Sequence, residues 1–148
     1  MRSKESLDER QLMIRGNAFK YGFFTLLVLL AAEAFLTGVC GLAVMEGIWG
    51  NVLIIVAGAI AAASSMLRRG YYDFDRRENR LIWYVFAAGG LFLALLSLLD
   101  LAKGDFTLAG PALISDDAIH ALIALGWLYL GGLGIAKSRA YTQANPPD

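Results

Sequence analysis

Residues 81–99 read LIWYVFAAGGLFLALLSLL, a run of nineteen residues without a charged side chain. At about 1.5 Å per helical residue, such a run crosses most of a hydrocarbon core of about 30 Å. Three further apolar stretches of similar length lie at 21–45, 48–67 and 118–136. Because a backbone in lipid must satisfy its own hydrogen bonds, segments of this kind become helices. The pattern predicts an all-α integral membrane four-helix bundle within residues 21–136.

The composition agrees with one membrane-embedded domain. Hydrophobic residues make up 57% and charged residues 18% of the 148 residues, which leaves too little polar surface for a soluble domain of this size. The single cysteine, Cys40, excludes an intrachain disulfide. Because the sequence contains no zinc motif, nucleotide-binding loop or nucleophile–base pair, we expect a non-enzymatic protein without a cofactor.

The basic residues are distributed unevenly between the two ends of the predicted bundle. All of the 13 lysines and arginines except Lys103 lie in the leader 1–20, the connection 68–80 and the tail 137–148. The connection 100–117 is acidic by comparison. By the positive-inside rule, both termini and the connection 68–80 are predicted to be cytoplasmic.

The leader carries a signal for the start of a helix. Ser6 and Glu9 have the spacing of a capping box, in which each side chain bonds the backbone amide of the other residue. Basic side chains further along can reach lipid headgroups. We therefore expect a short amphipathic helix in the membrane interface, with Gly16 as a bend before the first span. The alternative is a docking segment for a cytoplasmic regulator.

The leader also resembles known sequences. The run DERQLMIRGNAFK at 8–20 resembles the opening of a group of uncharacterised small four-span bacterial membrane proteins that begin with a D-E-R-Q box. The turn EGIWGN at 46–51 is also similar to that group, and the later parts match in hydropathy alone. The resemblance implies a four-span bacterial membrane protein, often encoded near a small helix-turn-helix regulator. It assigns no catalytic or ligand residue.

Glu33 is the only carboxylate inside the four predicted spans. It lies midway along 21–45, near the middle of the bilayer, where a charged side chain costs at least about 2–3 kcal/mol. We expect Thr37 on the same helix face, and Trp127 and Tyr129 at a matching depth in span four as hydrogen-bond donors. One interpretation is a proton and substrate site. The other is a protonated glutamate whose interhelical hydrogen bond fixes the packing.

The first interpretation invites comparison with small multidrug-resistance transporters, four-helix proteins with one membrane-embedded glutamate in the first span. The run AAEA at 31–34 is faintly similar to that pattern. This chain departs from it in its length, its charged leader and its long connections. Proton-coupled export of a cationic compound is therefore the second hypothesis. The first is an accessory or regulatory module that acts through protein or lipid partners.

Span two is rich in small residues, which let helices approach closely. Gly58 and Ala62 form a small-xxx-small pair, and Ser65 continues near the same face. These residues predict a helix-packing surface. The packing partner is another helix of the same chain or, alternatively, a second copy in a homodimer.

The start of span four has two interpretations. Asp116 and His120 are i, i+4 neighbours, a spacing that can present two metal ligands. Alternatively, Ser115 caps the helix, and Asp116 and Asp117 complement the positive end of the helix dipole. The cap is the favoured interpretation, so we predict no metal site.

The connection 68–80 mixes five arginines with three acids. Its cations attract anionic lipid headgroups, by about 1 kcal/mol for each residue near the surface. A contact with a cytoplasmic regulator is the alternative, whereas nucleic-acid binding is not expected because the acids dilute a short basic segment. The neighbouring aromatic residues Trp83 and Tyr84 are expected at the membrane interface.

Overall fold

The computed structural model describes residues 9–45, 47–69, 77–109 and 112–144. These residues form four helices, namely α1 (Glu9–Gly38), α2 (Gly47–Arg68), α3 (Arg77–Lys103) and α4 (Asp116–Ala144). All four helices are long and apolar enough to cross a membrane. The predicted fold class, an all-α four-helix bundle, is confirmed.

The helices lie side by side in the order α1–α2–α4–α3. Among the described residues, the helix pairs in close backbone contact are α1 with α2, α2 with α4, and α3 with α4, so α2 and α4 form the centre. The hairpins α1–α2 and α3–α4 are antiparallel, and a ring contact between Trp49 and His120 joins the starts of α2 and α4. In this order, α1 and α4 each pack against α2 but, within the described part of the chain, are not in close backbone contact with each other.

Because the helices alternate in direction, the two ends of the bundle differ in charge. One end, the basic end, holds the described residues Lys20, Arg68, Arg69, Arg80, Lys137 and Arg139. The opposite end, the acidic end, holds Asp100, Lys103, Asp105, Asp116 and Asp117. The helix order therefore keeps the uneven charge of the sequence on two separate faces.

The start of α1 differs from the prediction. The helix runs without interruption from Glu9 through Gly16 into the apolar segment. The described part of the leader is therefore not a separate interfacial helix, and Gly16 does not divide it. The capping-box residue Ser6 and most of the connection 68–80 lie outside the described residues.

The end of α1 also differs from the prediction. The helix stops at Gly38, whereas the predicted first span continues to Met45. Gly41 adopts φ +66°, a left-handed conformation that glycine reaches without strain, and it turns the chain away from the helix axis. Residues 42–45 then run beside 112–114. The amides of Leu113 and Ile114 donate to the carbonyls of Ala43 and Val44, each at 2.9 Å. The two connections of the acidic end are thus paired.

The helix ends at the acidic end are also capped. Gly104 adopts φ +80° after α3, and the amide of Asp105 bonds the carbonyl of Asp100 at 3.0 Å, as in a Schellman motif. At the start of α4, the Ser115 hydroxyl accepts a hydrogen bond from the amide of Ala118 at 3.2 Å. The predicted serine cap is confirmed.

The best-buried cluster lies near the basic end, between α2, α3 and α4. It consists of Leu67, Trp83 and Leu130. The indole of Trp83 is only 1% exposed, and it lies so close to Gly134 that a Cβ there would overlap the ring. The ring of Trp83 therefore packs in the bundle interior rather than facing lipid, and its predicted depth near the membrane interface stays a prediction. Tyr84, the next residue, is 51% exposed.

Candidate functional site

A cleft of about 530 Å³ lies where α1 and α4 stand apart. Leu29, Glu33 and Leu36 line it from α1, the middle of α2 forms its floor, and Leu122 faces it from α4. Glu33 is the single ionisable side chain among the described residues of this lining. A carboxylate in an otherwise apolar cleft can bind a cation or accept a hydrogen bond from a ligand.

The two ends of the cleft have different boundaries. At the acidic end, the paired connections contribute Val44, Met45 and Ile114. Toward the basic end, α1 and α2 close against each other, since a Cβ at Gly58 would lie 3.1 Å from the carbonyl oxygen of Gly22. The lining of α2 runs from Leu53 to Ala61, whereas that of α1 begins only at Leu29, beyond the Gly22 contact.

Glu33 lies toward the acidic end of α1. The candidate membrane span of α1 is Leu12–Gly38, so its middle falls at Thr25. At about 1.5 Å per residue, Glu33 lies about 12 Å from that middle, toward the acidic end. The predicted span 21–45 has Glu33 at its midpoint, whereas α1 ends at Gly38, so Glu33 lies nearer the end of the helix than that span implies. Its depth in the bilayer stays a prediction.

The structure does not assemble the predicted set around Glu33. The Thr37 hydroxyl donates a hydrogen bond to the backbone carbonyl of Leu42, at 3.4 Å. Trp127 packs against Phe86 of α3, with ring centroids 5.6 Å apart. The Tyr129 hydroxyl accepts a hydrogen bond from the Arg68 guanidinium at 2.8 Å. The remaining described residues give Glu33 no hydrogen-bond or ion-pair partner either.

The small residues of α2 meet α1 of the same chain. A Cβ at Gly22 would lie 2.8 Å from the Cβ of Ala62 and 2.8 Å from the carbonyl oxygen of Gly58. The carbonyl of Ser65 accepts a hydrogen bond from the Arg69 amide at 3.2 Å. The Gly58–Ala62 pair is therefore placed in the intramolecular α1–α2 contact.

The residues considered for a metal take other roles. The His120 ring meets Trp49 edge-on, with ring centroids 4.6 Å apart, and Asp116 is exposed. Asp117 accepts hydrogen bonds from both the amide and the hydroxyl of Thr107, each at 3.1 Å. Within the described ranges, no three histidine, cysteine or acidic side chains come together as metal ligands.

Sequence reasoning missed a second, polar groove of about 520 Å³ at the basic end, between the start of α3 and the end of α4. Arg80 and Arg139 line it from opposite helices. Each arginine was visible in the sequence, but their meeting depends on the antiparallel packing of α3 on α4. The available signal was the positive-inside pattern, which already places both arginines at one end.

The fold and the cleft define a class, a multi-pass all-α membrane protein with a carboxylate in a lateral cleft. No family model, curated protein or solved structure matches the chain. The resemblance of residues 8–20 and 46–51 to small four-span bacterial proteins therefore stays a prediction.

Proposed function

We propose that this chain is a non-enzymatic accessory or regulatory module that binds a partner inside the bilayer, at the cleft beside Glu33. One observation carries the proposal. Glu33 has no hydrogen-bond partner among the described residues and lies in an otherwise apolar cleft. A polar group without a partner in apolar surroundings raises the free energy, so a ligand that donates a hydrogen bond is favoured there.

The partner that suits this cleft is a transmembrane segment of another protein. The lining of α1 extends from Leu29 to Leu36, which is about two helical turns. A helix docks into an apolar groove through residues spaced by three and four positions, and one donor among them would meet the carboxylate. Such an interhelical hydrogen bond contributes about 1 kcal/mol in a membrane.

We also propose that the protein lies in the bacterial cytoplasmic membrane with both termini in the cytoplasm. The separation of the basic end from the acidic end supports this orientation. In this orientation the basic end faces anionic lipid headgroups of the inner leaflet and any cytoplasmic regulator.

Site-specific photocrosslinking in native membranes tests the proposed partner. A Leu36→p-benzoylphenylalanine variant carries the probe in the cleft, and a Phe92→p-benzoylphenylalanine variant carries it on α3, where Phe92 is 62% exposed. We expect one discrete protein adduct from position 36 and none from position 92. The adduct should persist with Glu33→Gln, which still accepts a hydrogen bond, and decrease with Glu33→Ala. Adducts to lipid alone, or a protein adduct unaffected by Glu33→Ala, would contradict the proposal.

Proton-coupled export of a hydrophobic cation is the second candidate. The observation that favours it is the cleft itself, whose volume falls in the range of small-molecule sites of about 300–1,000 Å³. The close contact of α1 and α2 at Gly22 and Gly58 narrows the path from the cleft toward the basic end, which ranks this candidate second.

Transport is tested in proteoliposomes with tetraphenylphosphonium as the probe and a pH-sensitive dye inside. Export through Glu33 predicts proton movement that depends on the probe, that is abolished by Glu33→Gln and that survives Asp100→Asn outside the cleft. Equal proton movement with Glu33→Gln would remove this candidate. Since Glu33→Gln is expected to preserve a protein adduct, the same variant separates the two functions.

A further inference from the structure

The polar groove at the basic end combines two arginines with neutral hydrogen-bonding groups. Arg80 and Tyr84, one turn apart on α3, form one wall, and Ser138, Arg139 and Thr142 on α4 form the other. Each guanidinium offers five N–H donors in a planar fork that matches the oxygens of a phosphate. The set of donors is therefore suited to an anion.

The positive charge of this groove is not neutralised by the described side chains around it. Neither Arg80 nor Arg139 forms an ion pair with a described residue. The stretches 80–99 of α3 and 118–144 of α4 contain no carboxylate at all. None of the described side chains that line the groove is a carboxylate, so an anion that enters it meets no negative charge among them.

Ser138 supplies a second, independent observation. The residue is only 6% exposed, and no described residue pairs with its hydroxyl. Its carbonyl, by contrast, accepts a hydrogen bond from the Thr142 hydroxyl at 3.1 Å. The Ser138 hydroxyl is not among the fully buried polar atoms without a partner in the described residues, so it keeps contact with the groove, where a ligand or water can bond it.

The position of the groove distinguishes between sources of phosphate. Leu81 and Tyr84 on its rim are 58% and 51% exposed, and Arg80 is the first residue of the candidate membrane span of α3. An apolar rim beside a basic pocket is suited to acyl chains below a headgroup. A free phosphate would gain nothing from that rim.

We infer that the groove between α3 and α4 binds the phosphodiester of an anionic phospholipid, with Arg80 and Arg139 holding the phosphate and Ser138 donating a further hydrogen bond. The site is separate from the cleft beside Glu33, so the inference stands or fails independently of the proposed function.

Lipid titrations of the full chain, purified in a neutral detergent, test the inference. Bound phosphatidylglycerol is measured by native mass spectrometry, with phosphatidylcholine and inorganic phosphate as separate arms. We expect a tight phosphatidylglycerol site that neither phosphatidylcholine nor millimolar phosphate occupies. Equal binding of both lipids would overturn the inference, and displacement of the lipid by inorganic phosphate would overturn its assignment to a lipid.

A double variant, Arg80→Gln with Arg139→Gln, should weaken this site about tenfold or more, because two charge-assisted hydrogen-bonding groups are removed. The matched control, Arg69→Gln with Lys137→Gln, removes the same charge from the same end but outside the groove, and should keep the site.

A third variant, Ser138→Ala, leaves the charge unchanged and should weaken binding about three- to tenfold. Equal weakening in the double variant and its control, or unchanged binding with Ser138→Ala, would contradict the inference.

Discussion

At the residue scale, the glycines of α4 differ in what surrounds them. A Cβ at Gly131 would lie 2.6 Å from the backbone nitrogen of Ala87, and a Cβ at Gly134 would overlap the Trp83 ring. A Cβ at Gly132 would meet nothing within 4 Å. The same residue type therefore permits close helix contact on one face of α4 and is unconstrained on the other.

Gly134→Ala should destabilise the protein by about 1–3 kcal/mol, because the added methyl forces the buried Trp83 ring out of its position. Gly132→Ala, two residues earlier on the same helix, should leave stability unchanged or raise it by up to about 1 kcal/mol through helix propensity. Both are measured as the free energy of unfolding by denaturant titration in detergent micelles. Equal effects of the two substitutions would show that the α3–α4 contact is not as described.

The candidate site was only partly predictable from its residues. Glu33 was evident as the one carboxylate in an apolar span. The expectation that Trp127 and Tyr129 both reach it overlooked helix geometry, since residues i and i+2 lie about 200° apart around a helix. The structure separates them accordingly, with Trp127 against Phe86 and Tyr129 against Arg68. Which face of α4 packs on α2 and which on α3 depends on long-range packing, which hydropathy does not encode.

At the element scale, hydropathy predicted the existence of the four helices but not the end of the first. Apolar residues continue past Gly38 through Val39, Leu42 and Val44, so length and hydropathy extended the span to Met45. The glycine at Gly41 was the available stop signal. The pairing of 42–45 with 112–114 joins segments far apart in the chain, and no local pattern indicates it.

Gly41→Ala should destabilise the protein by about 1–2 kcal/mol, because φ +66° is strained for a residue with a Cβ. Gly38→Ala is the matched control, since it lies on the same turn without a positive φ and has open space around it. Hydrogen exchange of the Leu113 and Ile114 amides reports the local effect. Faster exchange in the Gly41 variant alone is expected, and exchange unchanged from the parent would contradict this account of the turn.

At the scale of the whole molecule, the alternation of helices separates charge, and charge sets the expected orientation. The basic end and the acidic end come from connections that are distant in sequence but adjacent once the hairpins form. The sequence therefore predicts the orientation more directly than it predicts helix packing, because the positive-inside rule depends on the loops and not on side-chain contacts.

Cysteine labelling of intact bacterial cells tests this orientation. In a Cys40→Ser background, Lys103→Cys at the acidic end should react with a membrane-impermeant maleimide from outside. Lys137→Cys at the basic end should react only after the membrane is permeabilised. Both lysines are exposed in the structure, so accessibility within the fold does not distinguish them. The reverse labelling pattern would show that the topology is opposite to the predicted one.

The helix order also means that the chain consists of two hairpins, α1–α2 and α3–α4, which can be produced as separate fragments. Each hairpin has its own internal interface, and among the described residues the α2–α4 contact, the cluster of Leu67, Trp83 and Leu130, and the paired connections at the acidic end hold the hairpins together. In a membrane, independently inserted hairpins associate laterally after insertion. A chain cut between Arg69 and Arg77 and produced as two co-expressed fragments should therefore reassemble into one complex. The gene can accordingly be divided at that point, with a reporter fragment on each new end to follow assembly in living cells.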